Sequence, residues 1–227
     1  MAKSQIRSAA IPRLVWLAGL SAVLCVAAAA ESDRGTAAQA AYYFDSRDFN
    51  TLTLVASTRG LPLGTSVWGF VDLHGAADGD ERQDMTRYFV EYRLLRAIDP
   101  DWIGGVEGVG LVAEYNDLEG GGNALLRLGA SYRRTWGPWR TQLRLFPWES
   151  DGDGGQAALS YGLTLGPRLE LGGFVDYNWS PDGPDRWVAE PQLTLRLDKR
   201  FALLLEVRYN GFEADESGAA LGLELRF

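Results

Sequence analysis

Charged residues recur at every second position along short, otherwise apolar stretches: Arg127 and Arg133, then Arg140 and Arg144, Glu206 and Arg208, and finally Glu224 and Arg226. Successive side chains of an extended strand point to opposite faces, so each such stretch has one charged wall and one apolar wall. A charged wall can orient a polar solute, or it can neutralise itself as ion pairs that fill the space it encloses. Asp72, Glu91, Arg93, Glu170 and Asp176 belong to the same set. Trp68, Phe70, Phe89 and Phe174 fall on that wall too and offer stacking surfaces. The sole histidine, His74, follows Asp72 by two residues and is the one side chain of the ordinary general-base type.

Strands must position these groups, and their period of two runs through most of the chain. Leu126, Leu128, Ala130 and Tyr132 oppose Arg127 and Arg133; Leu143 and Leu145 oppose Arg140 and Arg144; Leu221, Leu223, Leu225 and Phe227 oppose Glu224 and Arg226. Short turns at 59–64, 98–101, 135–138, 166–167 and 198–199 alternate with longer polar loops at 74–86, 116–123, 149–156, 180–185 and 213–218. Trp102, Trp136, Trp139, Trp148, Tyr177, Trp179, Trp187 and Tyr209 gather near strand ends, where amphipathic rings meet a lipid interface. The pattern predicts an all-β, antiparallel up-and-down transmembrane β-barrel rather than a soluble sandwich. Eleven segments are plain, at about 49–58, 65–73, 87–96, 103–115, 124–134, 138–147, 157–165, 167–179, 187–197, 200–211 and 218–227. A twelfth at 41–45 brings both termini to one side; ten and fourteen strands are the alternatives, because glycines interrupt the alternation between Trp102 and Tyr115.

Residues 1–30 have the zones of a secretory signal: Lys3, Arg7 and Arg13, then an apolar run from Leu14 to Val26, then Ala27–Ala30. Cleavage there takes the formal charge from -8 to -11, since three positive residues leave and no acidic one does. It also removes the single cysteine, Cys25. Residues 31–40 read as a flexible lead and 41–227 as the barrel. So acidic a chain is not a nucleic-acid binder. The expected site is the outer membrane of a Gram-negative-type cell. The expected partners are lipid and lipopolysaccharide, the assembly machinery that reads a last strand ending in Phe227, and a small polar solute; the barrel is expected to be a monomer.

The order Tyr42-Tyr43-Phe44-Asp45, Leu52 to Ser57, Gly64-Thr65-Ser66-Val67-Trp68-Gly69-Phe70-Val71-Asp72 and Tyr88-Phe89-Val90-Glu91-Tyr92-Arg93 resembles the nucleoside-specific channel-forming porin superfamily, the Tsx-like barrels. The resemblance implies a monomeric twelve-stranded channel with a narrow lumen, and carries over to Asp72, Glu91 and Arg93.

The function expected is passive diffusion of small polar solutes, nucleosides among them, through a lumen lined by Asp72, Glu91, Arg93, Arg127, Arg133, Arg140, Arg144, Glu170, Asp176, Glu206 and Arg208. Asp72, Glu91, Arg127, Arg140 and Arg144 are the expected constriction, with the four arginines from Arg127 to Arg144 setting a field across the bore. No catalytic residue, metal or cofactor is expected. The competing readings are a closed barrel with an omptin- or lipase-like site around His74, or a structural or adhesion barrel. Asp78-Gly79-Asp80-Glu81 and Asp151-Gly152-Asp153-Gly154 lack the ligand spacing of an EF-hand and read as solvated loops.

Overall fold

The computed structural model describes residues 35–76, 85–118, 124–181 and 183–227. The expected signal segment, the first of the two acidic loops and parts of the loops after Ala76 and Leu118 lie outside these residues. Twelve strands follow one another: β1 Ala37–Asp45, β2 Phe49–Leu61, β3 Thr65–Ala76, β4 Met85–Ala97, β5 Val109–Leu118, β6 Leu125–Trp136, β7 Trp139–Glu149, β8 Gly155–Thr164, β9 Leu169–Trp179, β10 Arg186–Arg196, β11 Phe201–Asn210 and β12 Ser217–Arg226. Each is antiparallel to its neighbours, and β1 pairs with β12 to close the barrel. Closure leaves no strand edge unpaired, which hydrocarbon surroundings require. Among the described residues no helix is long and apolar enough to cross a membrane.

The start of β1, the end of β12 and the five short turns lie at one end of the barrel, here called the lower end. The upper end carries the longer loops and the tight β1–β2 connection at 46–48, where Asp48 adopts a left-handed φ of 62°. Asp tolerates that conformation better than most residues.

Two boundaries differ from the sequence reading by four residues or more. β1 begins at Ala37, so the last four residues of the expected lead are paired strand. β5 begins at Val109 rather than near 103, because Pro100–Ile103 forms a 3-10 turn and Gly104, Gly105 and Gly108 take positive φ. Those backbones cannot continue an extended strand.

Alternation sorts the two faces. Along β11, Phe201, Leu203, Leu205, Val207 and Tyr209 are exposed on the outside, while Ala202, Leu204, Glu206 and Arg208 are buried inside. Trp102, Trp136 and Trp139 ring the lower end, and Phe44, Trp148, Trp187 and Tyr209 ring the upper, all of them exposed. This is an apolar belt between aromatic girdles. On it Tyr92 lies over Gly69, where any Cβ would meet the ring at 2.3 Å. On the inner face a small cluster of buried residues, Ala41, Tyr43, Ala202, Leu204 and Ala220, lies beside the β1–β12 seam.

Candidate functional site: the charged bore

Cross-strand registers place every inward charge predicted from sequence on the inner face. Arg93 lies opposite Glu114, Glu114 opposite Arg127, and Arg127 opposite Glu149, so β4 to β7 carry a row of alternating sign. Glu114 is the hub, 1 % exposed. One oxygen accepts from Arg93 Nε at 2.7 Å, and the other from Arg127 Nη1 at 3.0 Å and Asn116 Nδ2 at 3.2 Å. Arg127 continues to Glu149 Oε2 at 3.2 Å and to Asn178 Oδ1 at 3.3 Å, which also accepts from Gln156. Since Asn178 stands on β9, this bond passes inside β7 and β8.

Glu91 pairs with Arg93. Arg144 donates to Ser160 Oγ at 3.0 Å, and across Ala158 its strand position is in line with Asp176. Asp176 Oδ1, Arg144 Nε and Gln156 Oε1 are buried and take no hydrogen bond among the described residues.

A second group lies under the upper rim. Arg208 donates to Glu206 Oε1 at 2.5 Å and to Asp45 Oδ2 at 3.0 Å, and its guanidinium lies 4.8 Å from the Tyr43 ring centroid. Asp45 also holds Arg47 at 2.9 Å, and these hydrogen bonds keep the Arg47 guanidinium more firmly protonated than an ordinary arginine. A third group lies at the lower mouth. Glu170 bridges Arg140 and Arg196, Arg226 pairs with Glu224, and Arg133 stands nearby on β6.

The four arginines expected to act together are therefore split. Arg127 and Arg144 belong to the middle of the bore, Arg133 and Arg140 to its lower mouth. The carboxylates nearest them sit one strand away for Arg127 and two strands away for Arg140 and Arg144, so pairing along the wall takes the place of the expected field across the bore. Sequence reasoning missed Asn178, Gln156, Ser160 and Thr51, neutral residues that complete the network; their inward parity was the one available signal.

Trp68, Phe70 and Phe89 form a row on β3 and β4, with centroids 5.4 and 5.6 Å apart, and Arg93 lies 4.6 Å from the Trp68 centroid. Phe174 stands apart on β9, opposite Ser160 and Glu190. Asp72 accepts from Thr53 at 2.5 Å, and His74 Nδ1 lies 3.2 Å from the Thr51 hydroxyl. In a protease-like dyad the Asp72 carboxylate would orient the ring; here Asp72 Oδ1 is engaged by Thr53 and His74 Nδ1 by Thr51. Among the described residues no three His, Cys, Asp or Glu side chains are grouped to hold a metal.

The closed ring of strands with a polar bore has solved counterparts. KdgM porin aligns over 84 % of this chain and 99 % of its own, with a TM-score of 0.57 and 13 % identity. NanC porin aligns over 84 % and 98 %, with a TM-score of 0.57 and 7 % identity. The chain has the fold of an outer-membrane barrel. The same fold is matched in the Salmonella typhi outer membrane phospholipase, over 83 % of this chain and 90 % of that one, at a TM-score of 0.54 and 14 % identity. No protein-family profile matches the chain. No curated protein matches it either.

Proposed function

We propose that this protein is an outer-membrane channel of narrow bore for small polar solutes, oriented with its lower end in the periplasm and its longer loops outside. The observation that carries this reading is the polar bore itself, lined by three successive groups of ion pairs and amides, from Asp45 and Arg208 under the upper rim through Glu114 and Arg127 to Glu170 at the lower mouth. Basic side chains on the lipid face cost up to about 2–4 kcal/mol each at mid-membrane, so the inward file fits a barrel wrapped by lipid. Buried polar atoms without a protein partner, such as Asp176 Oδ1, are ordinarily met by water, which fits a hydrated path. The orientation follows from loop length, since such barrels turn tightly on the periplasmic side. In this reading Phe227, exposed after β12, is presented to the assembly machinery.

Small size is set by the middle network. Glu114, Arg127, Arg144 and Asp176 are each less than a tenth exposed, so they crowd the bore at that level. A solute passes by exchanging with these pairs. Ring-bearing polar solutes, nucleosides among them, have the Trp68–Phe70–Phe89 row to stack on. One of the solved counterparts was determined in complex with oligogalacturonate, a polyanion. This bore carries acid and base in near balance, which favours neutral or zwitterionic solutes.

The test is conductance of the refolded barrel in planar bilayers. Steady openings are expected, enlarged by Arg144→Ala, and reduced more by added nucleosides than by simple sugars. A correctly folded barrel that stays silent, with and without the substitution, would sink the channel reading.

A further inference from the structure

At the upper mouth one carboxylate is held between two guanidiniums from distant parts of the chain. Glu213, in the loop between β11 and β12, accepts from Arg47 Nη1 at Oε2 and from Arg87 Nη1 at Oε1, each at 2.9 Å. Arg47 stands in the β1–β2 turn and Arg87 on β4, so the loop reaches over the mouth above β1, β2 and β3. Both guanidiniums also lie on the Phe49 ring, 4.9 and 5.1 Å from its centroid. Arg47 adds a contact to the Asp215 carbonyl at 3.5 Å. The Glu213 side chain remains 25 % exposed, and a cavity of about 550 Å³ opens beside it between residues 46–48 and 214–217.

Such a fork of two arginines over an aromatic face is a carboxylate receptor, matched to both oxygens at once. We propose that Arg47, Arg87 and Phe49 form a binding site for solute carboxylates, that Glu213 occupies it as an internal ligand, and that an incoming carboxylate displaces Glu213 and swings its loop from the mouth. Among the described residues Asp45 is shared between Arg47 and Arg208, so displacing Glu213 frees the Arg87 guanidinium and one arm of Arg47 for the newcomer. A carboxylate tethered by a short loop competes as if it were present at roughly millimolar concentration. Solute affinity is therefore low while Glu213 is present and rises when it is neutralised. Binding stands by itself, whereas the opening step rests on the channel reading.

Glutarate titrated calorimetrically into the refolded barrel in detergent, at constant ionic strength, tests the site. Glu213→Gln is expected to bind glutarate at least about tenfold more tightly than the parent, Arg87→Gln added to it to lose that gain, and the neutral glutaramide not to bind. Equal affinities for parent and Glu213→Gln, retention of binding without Arg87, or equal binding of glutaramide would each overturn the proposal. Heat-modifiable migration on a gel verifies that every variant is a folded barrel. A silent barrel that still binds would remove only the channel reading; a conducting barrel that fails these criteria would remove only the receptor.

Discussion

The middle of the bore and its upper rim use the same bond on supports of different stiffness. Arg127 meets Glu114 at 3.0 Å and Arg47 meets Glu213 at 2.9 Å, so length does not separate them. Glu114 stands on a strand paired on both sides, and its side chain has no exposure; Glu213 stands on a loop and keeps a quarter of its surface in solvent. A buried pair on a fixed backbone cannot lose one member without stranding the other; at the rim Arg47 is as enclosed as Arg127, but it keeps Asp45 when Glu213 goes, and water can take the place of the part-exposed Glu213. What an ion pair contributes here is set by depth and backbone support.

The contrast is broken most directly by deletion. Glu114→Ala leaves Arg93 without one of its two carboxylates and Arg127 with Glu149 alone; a loss of about 3–5 kcal/mol is expected from urea unfolding in lipid. Glu213→Gln should cost no more than about 1 kcal/mol in the same assay. Equal losses would erase the distinction. The next largest effect probes the outer wall, where Leu205→Arg should cost about 2–4 kcal/mol in a bilayer; a negligible change would mean that this face does not meet hydrocarbon.

The smallest effect lies in an exposed turn, away from both networks. Amide hydrogen bonds from Phe201 and Arg200 hold the Asp198 carboxyl below the usual carboxylate range. Because the folded value is depressed, its stabilisation is present above the unfolded value and lost as pH falls through the folded one. Amide protection in the β10–β11 turn should therefore weaken on acidification in the parent, and Asp198→Asn should remove that pH dependence. An unchanged acid response in the variant would show that Asp198 is not its source.

Strand parity made much of this legible. Wherever an apolar and a charged residue alternate, as from Leu126 to Arg133, the sequence settles which side faces in, and every inward charge named from it lies on the inner wall. Parity is silent where contrast is lacking: Ala37, Ala38, Gln39 and Ala40 are too alike in size to announce a strand, and β1 starts there. Glycine breaks it differently, since Gly104 to Gly108 looked like strand irregularity and proved to be a turn. The rim receptor was invisible for another reason. Arg47 and Glu213 are 166 residues apart and meet only because β12 returns to β1; neither lies in an alternating run that would mark its neighbour.

That return has a consequence for the order of events in time. Gln39 pairs with Arg226, and the Phe227 amide donates to the Ala38 carbonyl at 3.0 Å, so the ring is sealed by its first and last strands. Until the seal forms, a partial sheet exposes two raw edges whose amides hydrocarbon cannot satisfy. In the outer-membrane reading, the strands therefore cannot settle into a bilayer one at a time. Strand β12 must be in place before the barrel can close, however early β1 is made.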